Sequence, residues 1–330
     1  MSDLDTLQTE LDDLGASLKE LRTTLGEHFL GQEETTELLL LCMLARGHAL
    51  LEGAPGLGKT TLVRTLSALL ELSFARIQFT PDLMPADILG TRVLHFDAGS
   101  ERKFTFEPGP IFTQVLLADE INRATPRAQS AMLEAMQEHQ VTLFGETRHL
   151  DEPFMVIATQ NPIEMEGTYP LPEAQLDRFL FKIELSMPDQ KTLERVLTMT
   201  TAGQAGELKP VLNRKNVLRL QALLREVPAS SDIVTLVSRL ILATHPSNET
   251  APDRIRSLVR HGASPRGGQA LLLASKARAL LRGRLHVTTD DVRALAAPTL
   301  RHRLVLSYEG EASGVHADEL VDDALSAVGL

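Results

Sequence analysis

The sequence predicts an α/β domain built on a parallel sheet, followed by a smaller domain made only of helices. Between Gly31 and about Met187, short apolar runs typical of buried strands alternate with segments of helical periodicity. This pattern favours a parallel sheet that helices cover on both faces. After Pro188 strand-like runs disappear, and Leu, Ala and Arg recur at helical spacing.

The composition is that of an ordinary globular protein. The chain has 330 residues, of which 43% are hydrophobic and 23% charged, so one large and one smaller domain are expected. The net charge of −11 disfavours non-specific binding to nucleic acid. The single cysteine, Cys42, excludes an intramolecular disulfide and a multi-cysteine zinc site. No signal peptide and no apolar run of about 20 residues is visible, so we expect a cytoplasmic protein without a transmembrane segment.

Three segments follow from the pattern. Residues 1–30 carry a leucine stripe at alternating spacings of three and four, which predicts a helix. Packing of this helix on its own domain is favoured, and a short coiled coil with a partner is the alternative. Residues 31–187 form the α/β core, and residues 188–330 the helical domain. The leucines of the stripe are Leu4, Leu7, Leu11, Leu14, Leu18, Leu21 and Leu25.

Several elements can be placed within these segments. Buried strands are predicted at 49–52, 115–118 and 154–159, and core helices at 59–72 and 126–138. Residues 92–106 and 140–150 alternate apolar and polar side chains around turn residues, which predicts two inserted β-hairpins. Helices of the last segment are predicted at 214–225, 232–244, 265–281, 290–301 and 316–327, with capping side chains at 288–291.

A glycine-rich segment matches the phosphate-binding P-loop at every defined position, and an apolar run precedes it as this motif requires. The glycines let backbone N–H groups turn inward around a β-phosphate. The side chain of Lys59 then reaches the β- and γ-phosphates, and the hydroxyl of Thr60 ligates Mg²⁺. The predicted ATP-binding residues of the loop are Gly53, Ala54, Pro55, Gly56, Leu57, Gly58, Lys59, Thr60 and Thr61.

A second apolar run, 115–118, ends in two acids, which is the pattern of a Walker B segment. Asp119 would hold Mg²⁺ through water, and Glu120 would orient and polarise the attacking water. Taken alone, an Asp-Glu pair at a strand end is usually a solvated turn, but downstream of an intact P-loop the catalytic interpretation is favoured. Because a protein that only binds ATP could dispense with Glu120, this residue favours hydrolysis.

Together these residues resemble the AAA+ ATPases and, within them, the MoxR family. The likeness runs from about Leu30 to Arg303 and implies a P-loop AAA+ core with a parallel sheet, flanking helices and inserted β-hairpins, followed by a small all-α lid domain. The segments that carry it are Gly-Gln-Glu-Glu at 31–34, Gly-His-Ala-Leu-Leu-Glu-Gly-Ala-Pro-Gly-Leu-Gly-Lys-Thr at 47–60, Phe-Glu-Pro-Gly-Pro-Ile-Phe at 106–112, Asp-Glu-Ile-Asn-Arg-Ala at 119–124, Ala-Thr-Gln-Asn-Pro at 158–162 and Pro-Glu-Ala-Gln-Leu-Asp-Arg-Phe at 172–179.

The resemblance implies roles for three further polar residues. Asn161 matches sensor 1, which holds the attacking water near Glu120. Arg178 resembles the arginine finger, which acts in the site of the neighbouring subunit, although a surface pairing with Asp177 or Glu173 is left open. Arg266 resembles sensor 2, which contacts the phosphates from the lid.

The resemblance also covers the adenine pocket, the inserts and one unassigned arginine. Gly31 and Gln32 match the segment that lines the adenine. Arg123 belongs to a matched motif, but its role is left open between action in trans and ordering of the interface. The hairpins at 92–106 and 140–150 resemble inserts that face the central channel of ring-forming relatives. Because their tips show no strong aromatic grip motif, a role as edge-covering decoration is the alternative.

The resemblance implies an ATP-driven, chaperone-like protein that remodels a partner complex or helps to insert a cofactor or metal into it. It also implies that the protein works as a homo-oligomeric ring, of six subunits in the family. MoxR proteins often work with partners that carry a von Willebrand factor A domain. No such domain is visible after the helical segment, so that partner is expected to be a separate polypeptide.

Three alternatives are kept. A nucleic-acid motor is disfavoured by the acidic charge and by the absence of an aromatic-basic tract. A motor subunit like that of magnesium chelatase shares these motifs and inserts. A non-catalytic nucleotide switch is least favoured, because Glu120 and Asn161 are both present.

Overall fold

The computed structural model describes residues 3–96, 102–161, 168–201 and 208–330. The chain divides into two compact units, each assembled from separate stretches of sequence. We call Leu50–Leu171 with Glu184–Arg214 the sheet unit, and Met1–Ala49 with Pro172–Ile183 and Lys215–Leu330 the helical unit. The three segments predicted from the sequence, 1–30, 31–187 and 188–330, stay a prediction.

The strands are β1 Ala49–Glu52, β2 Phe74–Gln78, β3 Gly90–Phe96, β4 Arg102–Pro108, β5 Val115–Asp119, β6 Gln140–Leu143, β7 Glu146–His149, β8 Met155–Gln160, β9 Phe181–Glu184, β10 Val259–His261 and β11 Val305–Leu306. The helices are α1 Asp3–His28, α2 Glu33–Leu44, α3 Lys59–Leu69, α4 Pro85–Leu89, α5 Pro126–Glu138, α6 Glu173–Leu176, α7 Gln190–Thr201, α8 Arg214–Glu226, α9 Ser231–Ala243, α10 Asp253–Leu258, α11 Pro265–Leu281, α12 Thr289–Leu300, α13 Tyr308–Ser313 and α14 Ala317–Ala327, with short 3-10 turns at Ile121–Arg123 and Arg301–Arg303.

The main sheet has five strands in the order β2-β5-β8-β1-β9. β5 pairs in parallel with β2 on one side and with β8 on the other. The central strands are apolar and almost fully buried, as residues 115–118 and 155–158 show. Because parallel strands end at one edge of a sheet, the residues that follow β5 and β8 are brought together there.

The predicted α/β class and the three predicted strands are confirmed, but two strands of the sheet were missed. β2 reads Phe-Ala-Arg-Ile-Gln, and only Ile77 is buried in it because β2 is an edge strand. β9 follows directly on the arginine-bearing segment 172–179. Both hairpins are confirmed as antiparallel pairs, β3 with β4 and β6 with β7. The turn expected at 97–100 lies outside the described residues.

The second half of the leucine stripe, from Leu14 to Leu25, is buried within the helical unit. Leu14, Leu18, Leu21 and Leu25 are all at most 5% exposed. The helix continues past Gly26 and ends at His28. In α2, Cys42 is fully buried, and this burial raises the pKa of its thiol well above the usual value. Within the part of the chain that the structure describes, no helix is long and apolar enough to cross a bilayer.

The helices predicted after residue 213 are present within about one residue at each end, with α11 matching at both ends. The expectation that this region contains no strands is wrong, because the short strands β10 and β11 pair with each other. They have only three and two residues, too few to give the alternating pattern that identifies a strand.

The predicted cap of α12 is confirmed and forms a buried ionic cluster. Thr288 and Asp291 make a capping box at the helix start. The carboxylate of Asp291 is fully buried and accepts hydrogen bonds from Arg278 at 2.7 Å and from Arg284 at 2.7 and 2.9 Å. Burial alone would raise the pKa of Asp291, but the hydrogen bonds, led by that of Arg284, lower it to about 2.

Replacing Asp291 with Asn is expected to lower the free energy of unfolding by about 3 kcal/mol, because two arginines lose their buried counter-ion. A carboxyl whose pKa is depressed stabilises the fold above its unfolded pKa, so the difference between wild type and variant should shrink between about pH 4 and pH 2. Urea unfolding at pH 7, 5 and 3 measures this difference. Asp290→Asn, on the exposed side of the same turn, is the control. Equal destabilisation by both variants would contradict the assignment.

Candidate nucleotide-binding site

The glycine-rich loop, residues 53–58, joins β1 to α3 at the edge of the sheet. Gly56 and Gly58 have φ of 85° and 75°, a left-handed conformation that other residues adopt only at a cost. The N–H of Gly53 donates to the carbonyl of Gln160 at 3.3 Å, which ties the loop to the end of β8. Lys59 to Thr61 form the first turn of α3, so the positive end of this helix lies at the loop.

Lys59 is held over the loop. Its Nζ donates to the carbonyl of Gly53 at 2.6 Å. Burial lowers the pKa of Lys59, whereas the neighbouring Asp119 and Glu120 oppose this shift. A phosphate oxygen is a stronger, charge-assisted acceptor than a neutral carbonyl. The ammonium is therefore placed to bind an anionic group at the loop.

The acidic pair lies at the end of β5, as the sequence predicts. Thr159, on the adjacent strand β8, donates its hydroxyl to Asp119 Oδ1 at 2.6 Å. The same hydroxyl oxygen accepts the backbone N–H of Glu120 at 2.8 Å. One threonine therefore fixes both acids, and the sequence interpretation missed it because it depends on the pairing of β5 with β8.

Glu120 has an unusual backbone conformation. Its φ is 57° and its ψ is 49°, in the left-handed region. A non-glycine residue in this region costs on the order of 1–3 kcal/mol and is enriched at functional sites. Its Oε2 accepts hydrogen bonds from Gln78 at 2.7 Å and from Arg123 at 3.3 Å. Arg123, whose role the sequence left open, is thus an ion-pair partner of Glu120 within this chain.

Two side chains of β2 complete the site, and the sequence interpretation did not include them. Arg76 donates from Nε and Nη2 to Asp119 Oδ2 at 3.1 and 2.6 Å. Gln78 lies opposite Asp119 in the ladder between β2 and β5. The alternation Arg76-Ile77-Gln78 was a usable signal, because it places two polar side chains on one face of a strand.

These groups surround one cavity of about 420 Å³ in the sheet unit. Asn161 follows β8, is 7% exposed and also lines the cavity, as expected for a polar residue after that strand. The lining residues are Pro55, Gly56, Leu57, Gly58, Lys59, Thr60, Thr61, Arg76, Gln78, Asp119, Glu120, Thr159, Gln160 and Asn161. The structure therefore brings the predicted loop, acidic pair and Asn161 to one place.

The donor set of this cavity fits Mg²⁺. The hydroxyl of Thr60 and the carboxylate of Asp119 both line it, and hard oxygen ligands of this kind are the ones that Mg²⁺ prefers. Mg²⁺ usually keeps several waters and takes only one or two carboxylates from the protein, with substrate phosphates as further ligands. One hydroxyl and one carboxylate beside a phosphate-binding loop meet that requirement.

Arg178 belongs to the helical unit, where its segment is fixed by a buried arginine. Arg303 has a side chain only 2% exposed and donates to Asp177 Oδ1 at 2.7 Å. It also donates to the backbone carbonyls of Asp177 at 3.1 Å and of Phe179 at 2.8 Å. These bonds fix the backbone on both sides of Arg178. Its role as an arginine finger stays a prediction.

Arg266, Gly31 and Gln32 also belong to the helical unit. Arg266 lies in the first turn of α11, with its guanidinium 4.0 Å from Asp177 Oδ2. Gly31 has a φ of 72°. Gln32 stands at the N-cap position of α2 without a capping hydrogen bond from its side chain, and its Oε1 accepts the hydroxyl of Thr35 at 3.0 Å. Their roles as sensor 2 and as adenine-pocket residues stay predictions.

The two hairpins contact each other. Arg92 of β3 binds Glu146 of β7 at 3.1 Å and lies 4.9 Å from the centre of the Phe144 ring. Phe144, in the β6–β7 turn, has a φ of 53° and is 54% exposed, and Phe104 of β4 is 63% exposed. The hairpins therefore present two exposed aromatic rings, and their role, contact with a substrate or edge-covering decoration, stays a prediction.

These features together define a P-loop nucleotide-binding protein. They are a parallel sheet, the glycine-rich loop, the acid pair at the end of β5 and Asn161 after β8. Comparison of the sequence with protein-family models supports that class. The model of the ATPase family associated with various cellular activities (AAA) matches residues 48–181, and that of the AAA lid domain matches residues 252–324.

Relatives narrow the class further. The chaperone MoxR1 of Mycobacterium tuberculosis is 42% identical over 91% of this chain and 79% of its own length. The protein MoxR of Paracoccus denitrificans is 33% identical over 98% of both chains. A crystal structure of a candidate ATPase from Cytophaga hutchinsonii superposes with a TM-score of 0.91 at 36% identity, over 99% of this chain and 98% of that one. The chain belongs to the MoxR family of AAA+ ATPases.

Proposed function

We propose that the protein hydrolyses ATP with Mg²⁺ as a ring-shaped, hexameric homo-oligomer in the cytoplasm, and that it uses this energy to remodel or mature a partner protein complex. Insertion of a cofactor or metal into that complex is the form of maturation we favour. The observation that carries the proposal is Glu120, a carboxylate held beside Asp119 in the cavity that the P-loop lines.

In this reaction the loop backbone and five side chains of the cavity have distinct roles. Backbone N–H groups of 53–58 and the ammonium of Lys59 bind the phosphates. Thr60 would ligate Mg²⁺ directly and Asp119 would hold it through water, and the cation would supply positive charge beside the phosphates. Glu120 orients the attacking water and accepts its proton as the oxygen bonds to the γ-phosphorus and ADP leaves, and Asn161 holds that water between the γ-phosphate and Glu120.

Gln78 and Arg123 both donate to Oε2 of Glu120. Because a carboxylate offers about four acceptor sites on its two oxygens, Glu120 can accept the attacking water in addition to these bonds. Glu120 is 27% exposed in its side chain, so water can reach it without a large rearrangement. These contacts support a site in which the proposed catalytic base is oriented by Gln78 and Arg123.

The proposed ring assembly follows from the proposed role of Arg178 as an arginine finger. If Arg178 completes the site of a neighbouring subunit, the interface is head-to-tail, and interfaces of this kind close into rings. The buried anchoring of its segment by Arg303 supports this, because a finger must be presented in a fixed position. Arg266 as sensor 2, and Gly31 and Gln32 at the adenine, are proposed on the family resemblance.

The hairpins are proposed to contact the client. Arg92 and Glu146 join them, so Phe104 and Phe144 belong to one connected surface of the sheet unit. Exposed aromatic rings beside arginines are typical of protein contact surfaces. The partner is proposed to be a separate protein with a von Willebrand factor A domain, together with its client complex.

Phosphate release measured across chain concentrations tests the proposal. The specific activity of the wild type should rise steeply with concentration, in parallel with the oligomer fraction seen by analytical ultracentrifugation, and EDTA should abolish it. Activity that is independent of concentration while the chain stays monomeric would contradict assembly-dependent hydrolysis. Stimulation by single-stranded DNA at physiological salt would instead favour the nucleic-acid motor.

A further inference from the structure

A buried glutamine of α5 binds the turn that follows the acid pair. Gln129 is only 1% exposed, although glutamine is mostly a surface residue. Its side-chain NH₂ group donates to the backbone carbonyls of Ile121 at 3.2 Å and of Tyr169 at 3.0 Å. Because both neighbours are acceptors, the NH₂ end of the amide must face them, and both of its protons are used. Gln129 is not among the residues predicted from the sequence.

The same turn is also bound through its backbone to Tyr169. The carbonyl of Asn122 accepts the N–H of Tyr169 at 2.6 Å. Tyr169 is thus held at both its N–H and its carbonyl, the latter by Gln129. On the other side of Glu120, the hydroxyl of Thr159 accepts the backbone N–H of this acid at 2.8 Å. The backbone before Glu120 is therefore fixed from β8, and the turn after it from α5.

We propose that Gln129 is a positioning residue that holds Glu120 in its left-handed conformation and thereby directs its carboxylate at the attacking water. The inference rests on the proposed hydrolysis of ATP. A non-glycine residue at a φ of 57° and a ψ of 49° is strained and persists only where its surroundings over-determine the backbone. Relaxation of the turn would move the carboxylate, and a displacement of about 1 Å is enough to slow a reaction by about 100-fold.

Kinetics of Gln129→Met test the inference. Methionine keeps an unbranched side chain of similar size but removes both donors. We expect kcat for ATP hydrolysis to fall about 10- to 100-fold, while the affinity for a fluorescent ATP analogue stays within about threefold of the wild type. Gln137→Met makes the same change on the exposed side of α5 and should alter neither quantity. A kcat within about twofold of the wild type, or an affinity that falls as much as kcat, would overturn the inference.

Mixtures of variant chains separate a positioning role from general damage. A Gln129→Met chain lacks a well-placed Glu120 but retains Arg178, so mixing it with an Arg178→Ala chain should raise activity above the sum of the two. Mixing it with a Glu120→Gln chain should give no such gain, because neither chain supplies a working acid. A chain that is damaged throughout would give no gain with either partner, and that result would overturn the inference.

Gln129→Glu gives a second test that remains decisive if Gln129→Met folds poorly. Burial beside carbonyl oxygens raises the pKa of the new carboxyl, which can donate a hydrogen bond only in its protonated form. Its kcat relative to the wild type should therefore rise as the pH falls from about 9 to about 6. A ratio that stays flat or falls over this range would contradict the role of the donated hydrogen bonds.

Two outcomes separate this inference from the proposed function on which it rests. A wild-type chain that hydrolyses no ATP at any concentration would overturn the proposed function itself. A mixture of Arg178→Ala and Glu120→Gln chains that recovers nothing would overturn only the action of Arg178 in trans. Normal wild-type hydrolysis with an unchanged kcat in both Gln129 variants would overturn the role of Gln129 alone.

Discussion

Replacement of Glu120 by Gln is expected to lower steady-state ATP hydrolysis by about 10²- to 10³-fold while ATP binding stays within a few-fold of the wild type. Gln keeps the size of the side chain and its hydrogen bond with Gln78 can be re-formed after an amide rotation, but an amide cannot accept the proton of the attacking water. Phosphate release and the affinity for a fluorescent ATP analogue measure the two effects.

The control for this variant is Glu134→Gln, which makes the same chemical change on the exposed face of α5 and should leave both quantities unchanged. Loss of nucleotide binding in Glu120→Gln would show that the acid holds the site together. Hydrolysis that falls less than about fivefold would mean that another group acts as the base. The same chain, arrested with ATP bound, is the form best suited to retain its client.

The core of the site could be predicted from the sequence because its parts are local. The loop at 53–60 needs glycines at fixed offsets, and an acid pair at the end of an apolar run needs no knowledge of other strands. Their meeting in one cavity follows from a general rule of parallel sheets, in which ligands bind beyond the carboxyl ends of the strands. For the same reason Asn161, after β8, could be placed correctly.

The rest of the site depends on which strands are neighbours. Arg76 and Gln78 act on Asp119 and Glu120 only because β2 lies next to β5, and Thr159 does so because β8 lies on the other side. Strand order is not encoded in a local pattern. An edge strand is also the hardest kind to recognise, since in β2 only Ile77 is buried and the apolar run that marks a core strand is missing.

The conformation of Phe144 likewise could not be predicted from the local sequence. Glycine, asparagine and aspartate are the usual residues at the left-handed positions of a two-residue hairpin turn, so the sequence gives no reason to place a phenylalanine in that conformation. Here it adopts a φ of 53° and lies under the guanidinium of Arg92, which belongs to the other hairpin. The contact that supports this conformation comes from a residue far away in the sequence.

Replacement of Arg178 by Ala is expected to lower hydrolysis by about 10³-fold, the effect typical of a lost arginine finger, without loss of ATP binding. Arg178→Lys should recover little, because an ammonium does not reproduce the planar fork of a guanidinium. Arg239→Ala, on the exposed face of α9, is the control for loss of one arginine. Phosphate release and ATP affinity are measured at a concentration where the wild type is assembled.

Measuring hydrolysis in mixtures of two variant chains decides whether Arg178 acts in the neighbouring subunit. An Arg178→Ala chain retains Glu120, and a Glu120→Gln chain retains Arg178, so a mixed ring contains sites that combine one good residue from each. In an equal mixture about a quarter of head-to-tail interfaces are complete, and activity should recover to about that share of the wild type if sites work independently. Arg178 acting within its own chain would give no complete site in any mixture. No recovery despite confirmed co-assembly would therefore reject action in trans, and with it the reason for expecting a ring.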